Sequence, residues 1–173
     1  MFKQHYELLR RACDECLGWQ LLKPLGFGDE YRLQRIRVPA TDEQSQFDDL
    51  VGDLQTVLIE SLDVKPLKKL LLPAAREQLK GKGSIALLRE VLISRGVEES
   101  KVAFLGKLQR LRSMGSSHLK GTGYQKIAAY FGVDSRGRKE AFSGILWQAI
   151  NVLEFLTDVV RSGKLNDKNG GGC

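Results

Sequence analysis

Apolar residues recur every three or four positions through most of this 173-residue chain. That spacing places them on one face of an α-helix, so each run predicts an amphipathic helix that must bury its stripe. The clearest stripe, near the C-terminus, contains Phe142, Ile145, Leu146, Ala149, Leu153, Leu156 and Val160. We therefore expect an all-α fold, a helical bundle of about four long helices with shorter helices between them.

The N-terminal part of the chain divides into a helix and a connector. The first helix is predicted from the stripe Phe2, Tyr6, Leu9, Cys13 and Cys16, and Gly18 ends it. Residues 19–40 break the pattern, and alternation after Tyr31 favours a short strand or an extended linker. We expect three regions: the N-terminal helix and connector at 1–40, the bundle at 41–162, and a disordered tail at 163–173.

Helix boundaries inside the bundle follow from capping residues and prolines. Thr41 and Gln44 have the spacing of a capping box and begin the second helix. Pro73 is expected to stop a short helix, leaving residues 76–83 as an exposed basic turn. Further helices are expected over residues 84–95, 98–113, 124–131 and 135–161. The helix ending near residue 112 and the last helix are the expected antiparallel partners.

The basic excess of the chain lies entirely in its C-terminal portion. Residues 1–100 contain 15 basic and 16 acidic residues, whereas residues 101–163 contain 10 basic and 4 acidic residues. A basic region attracts polyanions such as nucleic acid through their phosphates. A solvated basic face without a ligand is the alternative interpretation.

Only two histidines occur, and one of them follows a basic helix. His118 lies in a loop rich in glycine and serine, six positions after Arg112. In a continuous helix six positions separate two side chains by roughly 240°. The two side chains therefore converge only if the helix breaks, and Gly115 is the expected break.

An arginine followed six residues later by a histidine, in an all-helical domain, resembles the HEPN superfamily. The flanking residues are similar to the HEPN-like C-terminal region of uncharacterised bacterial abortive-infection and defence proteins, namely Leu108, Leu111, Ser113, Gly115, Lys120 and Gly121. The resemblance covers roughly residues 42–161. Many members are metal-independent ribonucleases of defence or toxin systems. Active members usually carry Asn, Asp or His directly after the arginine, where this chain has Ser113.

This resemblance implies a role for each residue of the motif. Arg112 would hold the RNA phosphate, and His118 would transfer protons without a metal or another cofactor. Two motifs would meet in a homodimer, which supplies both an acid and a base. The expected nucleic-acid contacts are Lys107, Arg110, Ser113, Ser116, Lys120 and, as a stacking surface for a base, Tyr124.

A non-catalytic module remains the alternative. The chain would then dimerise, or bind a protein partner or nucleic acid, and it would be part of a larger parent chain. In that case Arg112 only caps the end of its helix, and His118 bonds a carbonyl group of the loop.

The cysteines and the apolar runs of the sequence indicate no metal site, redox site or membrane span. Cys13 and Cys16 share the apolar face of the first helix, so buried free thiols are favoured over a zinc or redox site. No apolar run is long enough to cross a bilayer, and a reducing cytoplasmic location is expected.

Overall fold

A computed structural model describes residues 1–115 and 121–166, and over these residues the predicted all-helical class is confirmed. A π-helical turn, Thr56–Glu60, continues the third helix, and a 3₁₀ turn, Ser100–Val102, precedes the seventh. The α-helices are α1 (Phe2–Cys16), α2 (Glu30–Arg35), α3 (Gln44–Gln55), α4 (Val64–Leu70), α5 (Pro73–Gln78), α6 (Ser84–Ser94), α7 (Ala103–Gly115), α8 (Thr122–Phe131), α9 (Val133–Arg136) and α10 (Arg138–Arg161).

One continuous apolar core joins the long helices. The longest helix, α10, packs mainly along α1, and α7 packs mainly against α3. The rings of Phe47 and Phe142 meet edge to face with centroids 6.2 Å apart, which links α3 to α10. The predicted pairing of α7 with α10 as main partners is therefore wrong, because the apolar stripe of α10 is covered chiefly by the N-terminal helix.

Residues 1–40 belong to the same core rather than forming an appendage. The predicted stripe of α1 is buried from Phe2 to Cys13. Leu21 and Leu22 are also buried, and Leu22 forms an isolated antiparallel bridge with Leu62. The expected boundary at residue 40 is therefore not a boundary between packed units.

The connector contains a helix where alternation favoured a short strand or an extended linker. Arg32 and Arg35 lie one turn apart on α2, and both reach the buried carboxylate of Asp53 on α3. Their nitrogen–oxygen distances to Asp53 are 2.9 Å and 3.2 Å. A strand would send residues three apart to opposite faces, so the ion pairs favour the helix.

The start of α3 also differs from the prediction. This helix begins at Gln44, and the backbone N–H and hydroxyl of Thr41 donate to Gln46 rather than Gln44. The Gln44 amide instead donates to Asp48 at 2.8 Å and accepts from Arg138 at 2.9 Å. A long-range contact with α10 has therefore replaced the local capping box.

Two helix starts differ from the prediction. Pro73 is the first residue of α5, where its missing N–H costs no hydrogen bond, so residues 76–78 are helical rather than a turn. The last helix begins at Arg138, after Gly137 with φ +84°, instead of at the expected residue 135. Glycine accommodates this left-handed conformation without strain.

The tail is ordered further than its composition predicts. Leu165 is fully buried, and the Arg95 guanidinium donates to the carbonyl oxygen of Asn166 at 3.0 Å. The expectation of disorder from Gly163 onward is therefore wrong for residues 163–166, and residues 167–173 lie outside the described residues.

The ion pairs at Asp53 generate a stability prediction. Asp53→Asn removes a charge that is 1 % exposed while leaving two arginines facing it. We expect a loss of about 2–3 kcal/mol in the free energy of unfolding, since the arginines themselves stay partly solvated. Urea denaturation followed by circular dichroism measures it.

Asp49→Asn is the matched control, because Asp49 also pairs with Arg35 but its side chain is 67 % exposed. We expect it to cost less than about 0.5 kcal/mol. Equal effects of the two substitutions would contradict the structural role of Asp53.

Candidate functional site

Arg112 lies in the wall of a polar cleft between α7 and α3. The cavity has a volume of about 440 Å³. Arg112 and Ser113 contribute from the last turn of α7, and Arg32 contributes from α2. The opposite wall comes from α3 and the π-helical turn and contains Gly52, Gln55, Thr56 and Glu60. The site predicted from the sequence around Arg112 is therefore a recessed surface that also uses the connector.

A glycine in α3 makes room for the guanidinium group. A Cβ atom built on Gly52 would lie 3.2 Å from Nε of Arg112 and 3.7 Å from its Cδ. Any larger side chain would press on the arginine. The close approach explains why an interior helical position tolerates a glycine that lowers helix propensity.

Arg112 differs from Arg32 in its carboxylate partners. Arg32 donates to Asp29 at 2.7 Å and to Asp53 at 2.9 Å. The hydrogen bond with Asp29 is the largest cause that holds the pKa of Arg32 above its ordinary value. Among the described residues, no carboxylate lies within 4 Å of the Arg112 guanidinium. The N–H groups of the Arg112 guanidinium could therefore donate to a bound anion.

The π-helical turn supplies the polar groups opposite Arg112. The backbone N–H of Ser61 donates to Thr56 five residues earlier, at 3.1 Å, which widens the helix by one residue. The Glu60 carboxylate accepts from the Thr56 hydroxyl at 3.0 Å and from the Gln55 amide at 3.0 Å. These two bonds hold Glu60 in a defined position at the cleft.

The predicted nucleic-acid contacts on α7 do not share one surface. Ser113 lines the cleft beside Arg112, and its hydroxyl donates to the carbonyl oxygen of Gln109. Lys107 lies in a separate groove, with Nζ 3.8 Å from the centroid of the Tyr130 ring. Arg110 is exposed and does not line the Arg112 cleft. The helix therefore separates the basic residues that the sequence places close together.

Tyr124 is not available as a stacking surface. Its side chain is 7 % exposed and belongs to the apolar core beneath α8. The expectation that it stacks a base is corrected by this burial. Ser116, His118 and Lys120 lie outside the described residues.

Several residues of the cleft were not predicted from the sequence. Gly52 left one signal, an isolated glycine within an otherwise good helical pattern. No sequence signal predicted Thr56 and Glu60, because the π-helical turn has no recognisable sequence pattern here. Arg32 was assigned to a connector and not to a site.

The two cysteines of the first helix differ in state. Cys13 is a buried free thiol, and burial raises its pKa, with a smaller opposing effect from the backbone N–H of Leu21. Cys16 is only half-buried and packs against the apolar core, so the expectation of a buried free thiol is confirmed for Cys13 alone. The two residues do not pair with each other. Across residues 1–115 and 121–166, no cluster of three His, Cys, Asp or Glu residues is arranged to hold a metal ion.

Comparisons of the chain with protein-family models, curated proteins and solved structures find no match. Within the described part of the chain, no helix has the length and apolar character that crossing a bilayer requires.

The close approach of Gly52 and Arg112 generates a second stability prediction. Gly106→Ala on α7 places a methyl group in open space, so helix propensity alone stabilises the protein by about 1 kcal/mol. We expect Gly52→Ala to stabilise it less, because Arg112 must move. Thermal denaturation of both variants measures the difference.

An Arg112→Ala background removes the close contact and serves as the control. There the gain from Gly52→Ala should equal the gain from Gly106→Ala. If the two glycines respond identically in the wild-type background as well, Arg112 does not lie against Gly52.

Proposed function

We propose that this chain is a HEPN-like, metal-independent endoribonuclease of a bacterial defence or toxin system. The observation that supports the proposal most directly is Arg112 in its polar cleft, with no carboxylate partner among the described residues. A planar guanidinium group matches two phosphate oxygens and stabilises the charge that builds up during phosphoryl transfer. The basic excess of residues 101–163 supports attraction of a polyanion to this half of the chain.

The proposed reaction is an internal transfer at one RNA phosphate. The ribose 2′-hydroxyl loses its proton to a base as its oxygen bonds to phosphorus. The bond from phosphorus to the 5′-oxygen breaks, and that oxygen takes a proton from an acid. The products are a 2′,3′-cyclic phosphate and a 5′-hydroxyl, with no net gain or loss of electrons.

His118 is the proposed proton-transfer residue, because imidazole exchanges protons near neutral pH. One histidine cannot act as base and acid in the same step. A homodimer that joins two motifs in one site would supply both groups, and two-fold symmetry is the simplest arrangement. Ser113 and Ser116 would orient the phosphate or the imidazole, and Lys120 would contact the RNA backbone. The proposed location of this activity is the cytoplasm.

RNA cleavage in the presence of EDTA tests the proposal. We expect the protein to leave 2′,3′-cyclic phosphate ends on a labelled single-stranded RNA. Arg112→Ala and His118→Ala should each lower the rate by at least about 100-fold, the scale of losing a charge-stabilising or proton-transfer group. End-group analysis by gel mobility before and after acid opening of the cyclic phosphate identifies the product.

Arg110→Ala is the matched control, since it removes the same charge from the same helix outside the cleft. Cleavage that survives Arg112→Ala or His118→Ala in a folded protein would eliminate the assigned mechanism. Salt-sensitive RNA binding without cleavage by the wild type would favour the alternative, a non-catalytic binding or dimerisation module.

A further inference from the structure

The cleft at Arg112 adjoins a second cavity beside the connector, with which it shares lining residues. This cavity has a volume of about 170 Å³, and both cavities are lined by Thr56 and Glu60. Its outer wall is the loop Lys23, Pro24, Leu25 and Gly26, closed by Asp29. Together the two cavities reach the size of a site for a small ligand or one nucleotide unit.

The loop is held firmly against the π-helical turn. The backbone N–H of Lys23 donates to Ser61 at 2.7 Å, and that of Asp63 donates to Leu21 at 2.9 Å. A turn follows in which the N–H of Asp29 donates to Gly26 at 2.9 Å. Gly28, at φ +91°, donates its N–H to Glu30 at 3.1 Å.

Phe27 stands at the tip of this turn and is fully exposed. The other six phenylalanines of the chain are buried or packed against the core. Gly26 and Asp29, at the two ends of this turn, line the second cavity, and the exposed ring between them offers a face on which an unpaired base can stack. Stacking would remove from water an apolar surface that the fold itself leaves uncovered.

Glu60 has an acceptor role that suits a ribose. Among the described residues, no cation lies within 4 Å of its carboxylate, which is held by Gln55 and Thr56 instead. An ionised carboxylate repels a phosphate but accepts a strong hydrogen bond from a hydroxyl group. The 2′-hydroxyl is the group by which a protein distinguishes RNA from DNA.

We propose that the cleft and its loop bind one unit of single-stranded RNA, with the phosphate on Arg112, the 2′-hydroxyl on Glu60 and the base on Phe27. This inference rests on the proposed function and adds to it the form of the substrate. A base held in a duplex cannot reach Phe27, and DNA brings no hydroxyl group to Glu60. The site therefore selects single-stranded RNA over duplex RNA and over single-stranded DNA.

Fluorescence anisotropy of the full chain with a labelled 12-nucleotide RNA, and with DNA of the same sequence, tests the inference. His118→Ala is the background, so that the RNA is not consumed. We expect Phe27→Ala to raise Kd for RNA about tenfold, since base–aromatic stacking has that strength, and Phe27→Trp to retain affinity. We expect Glu60→Gln to lower the preference for RNA over DNA at least about fivefold, because the charged acceptor for the 2′-hydroxyl is lost.

Matched controls separate this inference from the proposed function. Leu72→Ala removes another exposed apolar side chain, and Glu77→Gln removes another exposed carboxylate; both should bind like the background. If Phe27→Ala or Glu60→Gln also binds like the background, the inference is overturned. The proposed function fails separately, if Arg112→Ala binds RNA as well as Arg110→Ala does.

Discussion

The crossing of α7 over α3 is the contact on which the site depends. At Gly52 no side chain separates the two helices, and the Arg112 guanidinium occupies that space with Nε 3.2 Å from where a Cβ would lie. A larger side chain at position 52 would have to displace either Arg112 or one of the two helices, and a packed interior resists that displacement. The glycine therefore allows Arg112 to lie at the cleft. The absence of a side chain at Gly52 thus lets α3 and α7 pack closely and also leaves room for the arginine of the proposed site.

The connector is the second constraint, because it brings residues far apart in sequence to the same cleft. The buried Asp53 carboxylate draws α2 onto α3 through Arg32 and Arg35. Buried charges persist only when they are paired, so this contact fixes the connector rather than leaving it as a linker. Phe27 lies in the turn just before α2, between Gly26 and Asp29, two residues that line the second cavity. Residues 1–40 therefore take part in the proposed site as well as in the core.

The sequence predicted the helices whose buried residues recur every three or four positions. It did not predict the features that depend on contacts between residues far apart in the chain. The stripe of α1 gave the correct helix, Phe2–Cys16, because every third or fourth residue faces the core. Helix α2 has no fully buried residue and is joined to α3 by ion pairs, so apolar periodicity did not predict it. Arg112 was predicted as a site residue from a motif and a local charge excess. Gly52 and Glu60 were not, because their meeting with Arg112 depends on how α3 and α7 cross.

The most direct test of the account is whether Arg112 itself meets a phosphate. In a ¹⁵N-labelled His118→Ala protein, the guanidinium Nε–H signals of Arg112 and Arg110 are assigned by substitution to lysine and followed while single-stranded RNA is added. The account predicts that the Arg112 signal shifts and slows its exchange with water, while the Arg110 signal changes little. A shift at Arg110 with an unchanged signal at Arg112 would contradict it.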